Sequence, residues 1–192
     1  AIYIATIVLI VRRFAKTVFG REGYLTNTLP VSAHQLILSK LLVAFILDII
    51  SSLVILLSIG IIAAFCLDMK DILLATSYFG QILKEIGAFY LFIPSTILSM
   101  IAGILFYYLC ISIGNLFNTN KVLMGFVAFF AIQAILFFIG FFFGLGAALT
   151  GDATYTAINN SSYIISLVQS LILIAASYFG TYYIMTKRLN LD

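Results

Sequence analysis

Four long apolar runs set the frame of this chain. They extend from Leu41 to Leu67, Ala88 to Ile113, Val122 to Leu149 and Tyr163 to Met185. Each exceeds the ~20 residues that a helix needs to cross a bilayer core of ~30 Å. Backbone amides in hydrocarbon have no water to bond, so each run is predicted to be helical. The alternation of a membrane β-barrel is absent from the sequence. A shorter apolar run, AIYIATIVLIV, opens the chain and spans only about 16 Å as a helix. Its basic flank follows it, the reverse of a signal peptide, so it reads as the end of a span whose earlier part is missing. The expected architecture is an all-α integral membrane helical bundle. It has four complete spans plus the end of a preceding one, in a single, N-terminally truncated transmembrane domain over 1–192.

Polar intervals lie between these runs, the longer ones at 12–40, 68–87 and 151–162. In 68–87, Ile72, Leu73, Phe79, Ile82, Leu83 and Ile86 fall near helical spacing. This fits an interfacial amphipathic helix or an extension of the neighbouring spans. The 151–162 interval, GDATYTAINNSS, reads as a polar outer loop.

Charge then gives the spans a direction. Arg12, Arg13, Lys16, Arg21, Lys40, Lys121, Lys187 and Arg188 fall on one side of the alternating spans, and only Lys70 and Lys84 on the other. The positive-inside rule places the first group in the cytoplasm, together with the C-terminus. Composition agrees with a membrane protein: 64% of residues are hydrophobic, 9% are charged and mean hydropathy is +1.20, against roughly a quarter charged in soluble domains. Cys66 and Cys110 sit in apolar runs without CxxC spacing, and the single His34 cannot complete a zinc set. No metal or other cofactor is expected in this chain, and no nucleic-acid partner.

The interval 12–40 holds five of the ten Lys and Arg residues, the only His and one of two prolines. Gly20 and Gly23 interrupt the helix leaving the opening run. A short amphipathic piece, Glu22 to Leu29, offers Tyr24, Leu25 and Leu29 as apolar contacts. Pro30 ends it and pushes Leu29 towards extended geometry. Ser32-Ala-His-Gln35 fits a capping box for a new helix that continues into Leu41. A short helix across the mouth of a bundle suits docking of another protein.

The segment GREGYLTNTLPVSAHQLILSKLL resembles the cytoplasmic loop of bacterial permease subunits in the type-2 ABC exporter family, with the match covering Phe19 to Leu42. Such permeases usually have six spans, and the loop between spans two and three supplies a coupling helix that contacts the ATPase subunit. The resemblance implies that the opening run is the end of span two and the four complete runs are spans three to six. It implies ATPase-coupling roles for Glu22, Gly23, Tyr24, Leu25, Thr26, Leu29 and Pro30. It also implies a bacterial cytoplasmic membrane, a separate ABC ATPase partner carrying ATP and Mg, and a second permease copy or a homologous permease. The chain itself has no GxxxxGK[ST] phosphate loop and is expected to be non-catalytic.

Further residues have two readings each. Asp48, the one acid inside a span and about two turns from its cytoplasmic end, is either a polar contact on the translocation path or a wetted interfacial carboxylate. Gln133, Gln169 and Asn115 can bond between helices, and Gln133 is a second candidate for the path. Gly140 and Gly144 are spaced for close helix packing, within the chain or in a dimer. Phe137, Phe138, Phe141, Phe142 and Phe143 around them are lipid-facing side chains or an aromatic pocket. Pro94 should free a backbone carbonyl for other helices or for Ser95 and Thr96.

Two other function classes compete. A secondary transporter or channel fragment would rely on intramembrane charges or inverted repeats, and only Asp48 is available. A membrane-embedded hydrolase or acyltransferase would need clustered His, Asp, Glu or Cys. The substrate is not readable from the sequence. Single cysteines at Asn27 and Asn159, in a background lacking Cys66 and Cys110, are expected to label from opposite faces of intact cells. Labelling of both from one face would refute the four-span topology.

Overall fold

The computed structural model describes residues 2–19, 32–66, 89–117, 120–149 and 160–187, together with 68, 70, 73–74, 76–78 and 80. Five long helices follow in order: α1 (Ile2–Val18), α2 (Ala33–Cys66), α3 (Phe89–Gly114), α4 (Lys121–Leu149) and α5 (Asn160–Lys187). No strand occurs among the described residues. The last four helices are long and apolar enough to cross a membrane.

Helix α2 begins where its capping box places it. The Gln35 amide donates to Ser32 Oγ at 3.4 Å, and Gln35 Oε1 accepts from the Ser32 amide at 3.3 Å, so two amides left over at the helix start are satisfied reciprocally. From there the helix runs unbroken through Leu41 to Cys66. Helix α3 continues through Pro94. The hydroxyls of Ser95 and Thr96 both donate to the Phe92 carbonyl, at 2.8 and 2.9 Å, rather than to the carbonyl four residues before the proline. The described positions between 70 and 80 are helical.

Helix α3 is the hub. Its widest contact is with α5, it packs on α4, and it touches α1 and α2. The buried core joins four helices: Ile10, Phe14 and Val18 of α1, Leu36, Ile37 and Ala44 of α2, Ile104, Leu105 and Tyr108 of α3, and Met185 of α5. Side-chain pairings fix the directions. Thr6 meets Ser51 at 2.7 Å while Phe14 and Lys40 meet at Tyr108, so α1 runs antiparallel to α2; Ser99 meets Ser170 at 3.1 Å and Leu109 lies against Gly180, so α3 and α5 run parallel. Arg12, Arg13, Lys16, Lys40, Lys121 and Lys187 therefore gather at one end, called here the basic end, and the core lies towards that end.

Small residues set the closest approaches. A Cβ on Gly114 would lie 2.6 Å from the Lys121 carbonyl oxygen and 2.8 Å from the Gly125 amide nitrogen. The α3–α4 turn thus closes backbone on backbone, with Asn120 at φ 56° completing it. Against α5, a Cβ on Gly180 would meet a Leu109 methyl, and Ser170, Ser177 and Thr181 are buried nearby in sequence. Among the described residues Gly140 meets no neighbouring helix: nothing lies within 4 Å of a Cβ built there, on the exposed surface of α4. The side chains around Gly144, Phe142 and Phe143 lie outside the described residues. Phe137, Phe138 and Phe141 are exposed and pack on one another, so those three form an outward-facing aromatic surface.

Gly114→Ala is expected to lower the melting temperature in detergent, by a free energy of about 1–3 kcal/mol, because backbone atoms must move. Gly140→Ala is expected to be neutral or stabilising by up to about 1 kcal/mol, from helix propensity alone. Equal effects at the two positions would contradict this packing.

Candidate functional site

Glu22, Gly23, Tyr24, Leu25, Thr26, Leu29 and Pro30 lie outside the described residues. Both flanks of that loop are described, and both are fastened to the hub. On the α1 flank, the Phe14 ring stacks on Tyr108 of α3, with centroids 3.8 Å apart and planes 7° from parallel. Phe19 packs edge-on against Phe14 at 6.1 Å, and Val18 is fully buried. Phe14, Val18 and Ile10 fall on one face at spacings of four residues, which is why this short helix has a single buried stripe.

On the α2 flank, the hydroxyl of Tyr108 donates to the Lys40 carbonyl at 3.0 Å. One buried tyrosine therefore joins α1, α2 and α3, by its ring face and its hydroxyl. A turn and a half earlier, His34 stacks on Tyr182 of α5, centroids 4.2 Å apart, and its Nδ1 is hydrogen-bonded to the Tyr178 hydroxyl. His34 is exposed to solvent at its edge, yet held on α5 by two contacts. Between the flanks, Arg13 and Phe14 of α1, Lys40, Ala44 and Leu47 of α2 and Tyr108 of α3 line a cavity of about 10 Å³, room for about one water.

Asp48 lies deeper, eight residues past Lys40 and about 12 Å along the axis. It retains only 9% of its accessible surface. Thr6 and Ser51 form their hydrogen bond one turn beyond it. Tyr107 is held by its stacking on Phe129 of α4, at 6.1 Å and 17°. Gln133, the other candidate for the path, is exposed on α4 and does not line the cavity at the α1–α2 flank. Asn115 bonds within its own turn, Nδ2 donating to the Ile111 carbonyl at 2.8 Å. Gln169 is exposed on α5.

Cys110 is buried and Cys66 exposed, and neither is in a disulfide. Among the described residues no three of His, Cys, Asp and Glu come together as a metal site. Stacked rings thus dominate the basic end, and hydroxyls and one carboxylate lie farther in. Sequence reasoning did not find Phe14, Tyr107, Tyr108, Tyr178 and Tyr182. Tyr178 and Tyr182 did carry a signal, being one turn apart near a helix end where amphipathic rings are favoured.

Comparison with protein-family models, with curated proteins and with solved structures finds no match to this chain.

Phe14→Ala and Tyr108→Ala are each expected to destabilise by about 3 kcal/mol or more, as large-to-small core changes do. A double-mutant cycle by thermal unfolding in detergent should return a coupling of about 1 kcal/mol from the stack. Strict additivity would mean that the two rings are neighbours without a joint contribution.

Proposed function

We infer that this chain is a membrane permease subunit of a bacterial ATP-driven exporter of the type-2 ABC kind, coupling ATP hydrolysis by a separate ATPase subunit to translocation. The observation that carries the reading is the double fastening of the segment that resembles a coupling loop. Its entry is tied through Phe14 to Tyr108, and its exit through His34 to Tyr178 and Tyr182. A push on residues 20–31 would therefore reach α3 and α5 through stacked rings rather than dissipate in a slack connection. Elements packed in this way shift as units between discrete arrangements.

In this reading the basic end faces the cytoplasm, following the positive-inside rule. The C-terminus then lies on the same side, and the membrane is the bacterial cytoplasmic membrane. The partner ATPase holds ATP and Mg, and this chain performs no catalysis. Exposed apolar surface on α4 and on the outer half of α2 is available to lipid and to a second permease, either a copy of this chain or a homologue. The piece from Glu22 to Leu29 docks into a groove of the ATPase, with Tyr24 and Leu25 as apolar anchors and Glu22 as a polar contact.

Interface aromatics commonly cost ~2 kcal/mol or more when truncated. Tyr24→Ala and Glu22→Ala should therefore leave membrane insertion intact while reducing ATPase retention on co-purification or transport-stimulated ATP hydrolysis. If both variants retain the ATPase and normal coupled hydrolysis, the loop rests on lipid headgroups through Arg12, Arg13, Lys16 and Arg21, and the exporter reading loses its support.

A further inference from the structure

Two cations share one recess at the basic end. Lys40, Val43, Ala44 and Leu47 of α2 line the cavity of about 10 Å³ together with Ile10, Arg13 and Phe14 of α1 and Tyr108 of α3. Spacing explains the grouping. On α2 the four positions follow i, i+3, i+4 and i+7, and on α1 the three follow i, i+3 and i+4. Each helix therefore turns a single face inward. Ile10, Phe14, Ala44 and Tyr108 are buried and form the floor, which the bond from the Tyr108 hydroxyl to the Lys40 carbonyl fixes in place. Arg13 is exposed and Lys40 half-buried, so both belong to the rim. Charge at that rim is uncompensated within the described residues. Two acids fall among them, Asp48 and Asp68. Asp68 stands beyond the opposite end of α2, and Asp48 lies about two turns deeper than Lys40. Neither forms an ion pair with Arg13 or Lys40.

The rim also sits where polar and apolar layers meet. Lys40 directly precedes the apolar run of α2, and Arg13 lies just past that of α1. Below the cations the wall continues through Val43, Leu47 and Ile10, with Val43 exposed. The recess thus has the polarity of a lipid, with charge at headgroup level and aliphatic side chains beneath. A phosphate is too large for the cavity itself and rests across its mouth, between guanidinium and ammonium. The guanidinium offers a planar fork and the ammonium a point charge, and both suit phosphate oxygens. Basic recesses between transmembrane helices are where acidic headgroups settle. A zwitterionic lipid fits less well, because it brings its own cationic group beside two others. We propose that Arg13 and Lys40 hold the phosphate of an anionic phospholipid, whose acyl chain lies along Val43 and Leu47. One phosphate then bridges α1 and α2 at the two flanks of the loop 20–31. The site stands on this geometry and not on the exporter reading.

The test uses the full chain, purified with whatever accompanies it and placed in phosphatidylcholine nanodiscs. The probe is phosphatidylglycerol with a photoreactive diazirine in one acyl chain, and phosphatidylcholine with the same chain is the control. Phosphatidylglycerol should label the peptides holding residues 10–14 and 40–47 preferentially, and an excess without diazirine should protect them. A basic side chain near the headgroups is worth about fivefold in affinity. Arg13→Gln or Lys40→Gln should thus lower labelling about fivefold, and both together about thirtyfold. Lys40→Arg should retain most of it. Arg12→Gln removes the same charge one residue away, outside the cavity, and should leave labelling unchanged. Phosphatidylglycerol should also raise the melting temperature of the unaltered chain but not that of the doubly substituted one. Equal losses from Arg12→Gln and Arg13→Gln would show diffuse attraction to an acidic surface and overturn the site. Displacement by inorganic phosphate as effective as that by the lipid would make the ligand a free anion and overturn the lipid assignment. Labelling without preference for phosphatidylglycerol, with Lys40 joined to a partner's carboxylate by a carbodiimide, would assign the pair to a protein contact and overturn it equally.

Discussion

Within a bilayer, helices gain little from setting one aliphatic side chain against another, because lipid tails offer the same surroundings. What holds this bundle together must therefore be shape and polarity, and the contact that concentrates both is Tyr108. Its ring lies flat on Phe14 and its hydroxyl reaches the Lys40 carbonyl. Three helices meet at one residue with 1% of its surface exposed. Remove the ring and α1 loses its broadest partner. Remove the hydroxyl and α2 loses a directional tie just before the run that enters lipid.

The α3–α5 pair follows the same logic with smaller groups. Ser99 bonds to Ser170, Gly180 accepts Leu109 against its backbone, and Ser112, Ser177 and Thr181 are buried. Ser112 donates to the Tyr108 carbonyl at 2.8 Å, so even a buried hydroxyl has a use within its own helix. Among the described residues the buried Thr181 hydroxyl has no hydrogen-bond partner. Close approach of small side chains replaces the driving force that water would supply to a soluble core.

How much of this was legible follows from range. The four spans and the start of α2 at Ser32 are local properties, decided by run length, by Pro30 and by a four-residue cap, and they read directly from sequence. The partner of His34 does not, because Tyr178 lies 144 residues away and nothing near His34 encodes it. Gly140 shows a different limit: its spacing states that a helix could approach, but whether one does depends on where α4 docks, and among the described residues nothing lies within 4 Å of a Cβ built there. Asp48 was visible as the lone intramembrane acid. That it lacks a partner among the described residues could be learned only once its neighbours were in place.

Helix α2 has 34 residues, about 51 Å of rod, yet all its buried residues fall between Leu36 and Asp48. Beyond them the helix touches few of the described residues, and Phe65 near its tip is 87% exposed. This is the geometry of an oar held in a rowlock. The grip occupies about 18 Å and the free blade about 27 Å, so a tilt of about 10° at the grip would sweep the Cys66 end through about 5 Å. The short arm carries His34 and Lys40, the long arm crosses the apolar layer, and Asp48 sits at the pivot. Small displacements at the basic end are thus enlarged at the far side of the bundle, and the residue that turns least is the buried carboxyl of the span.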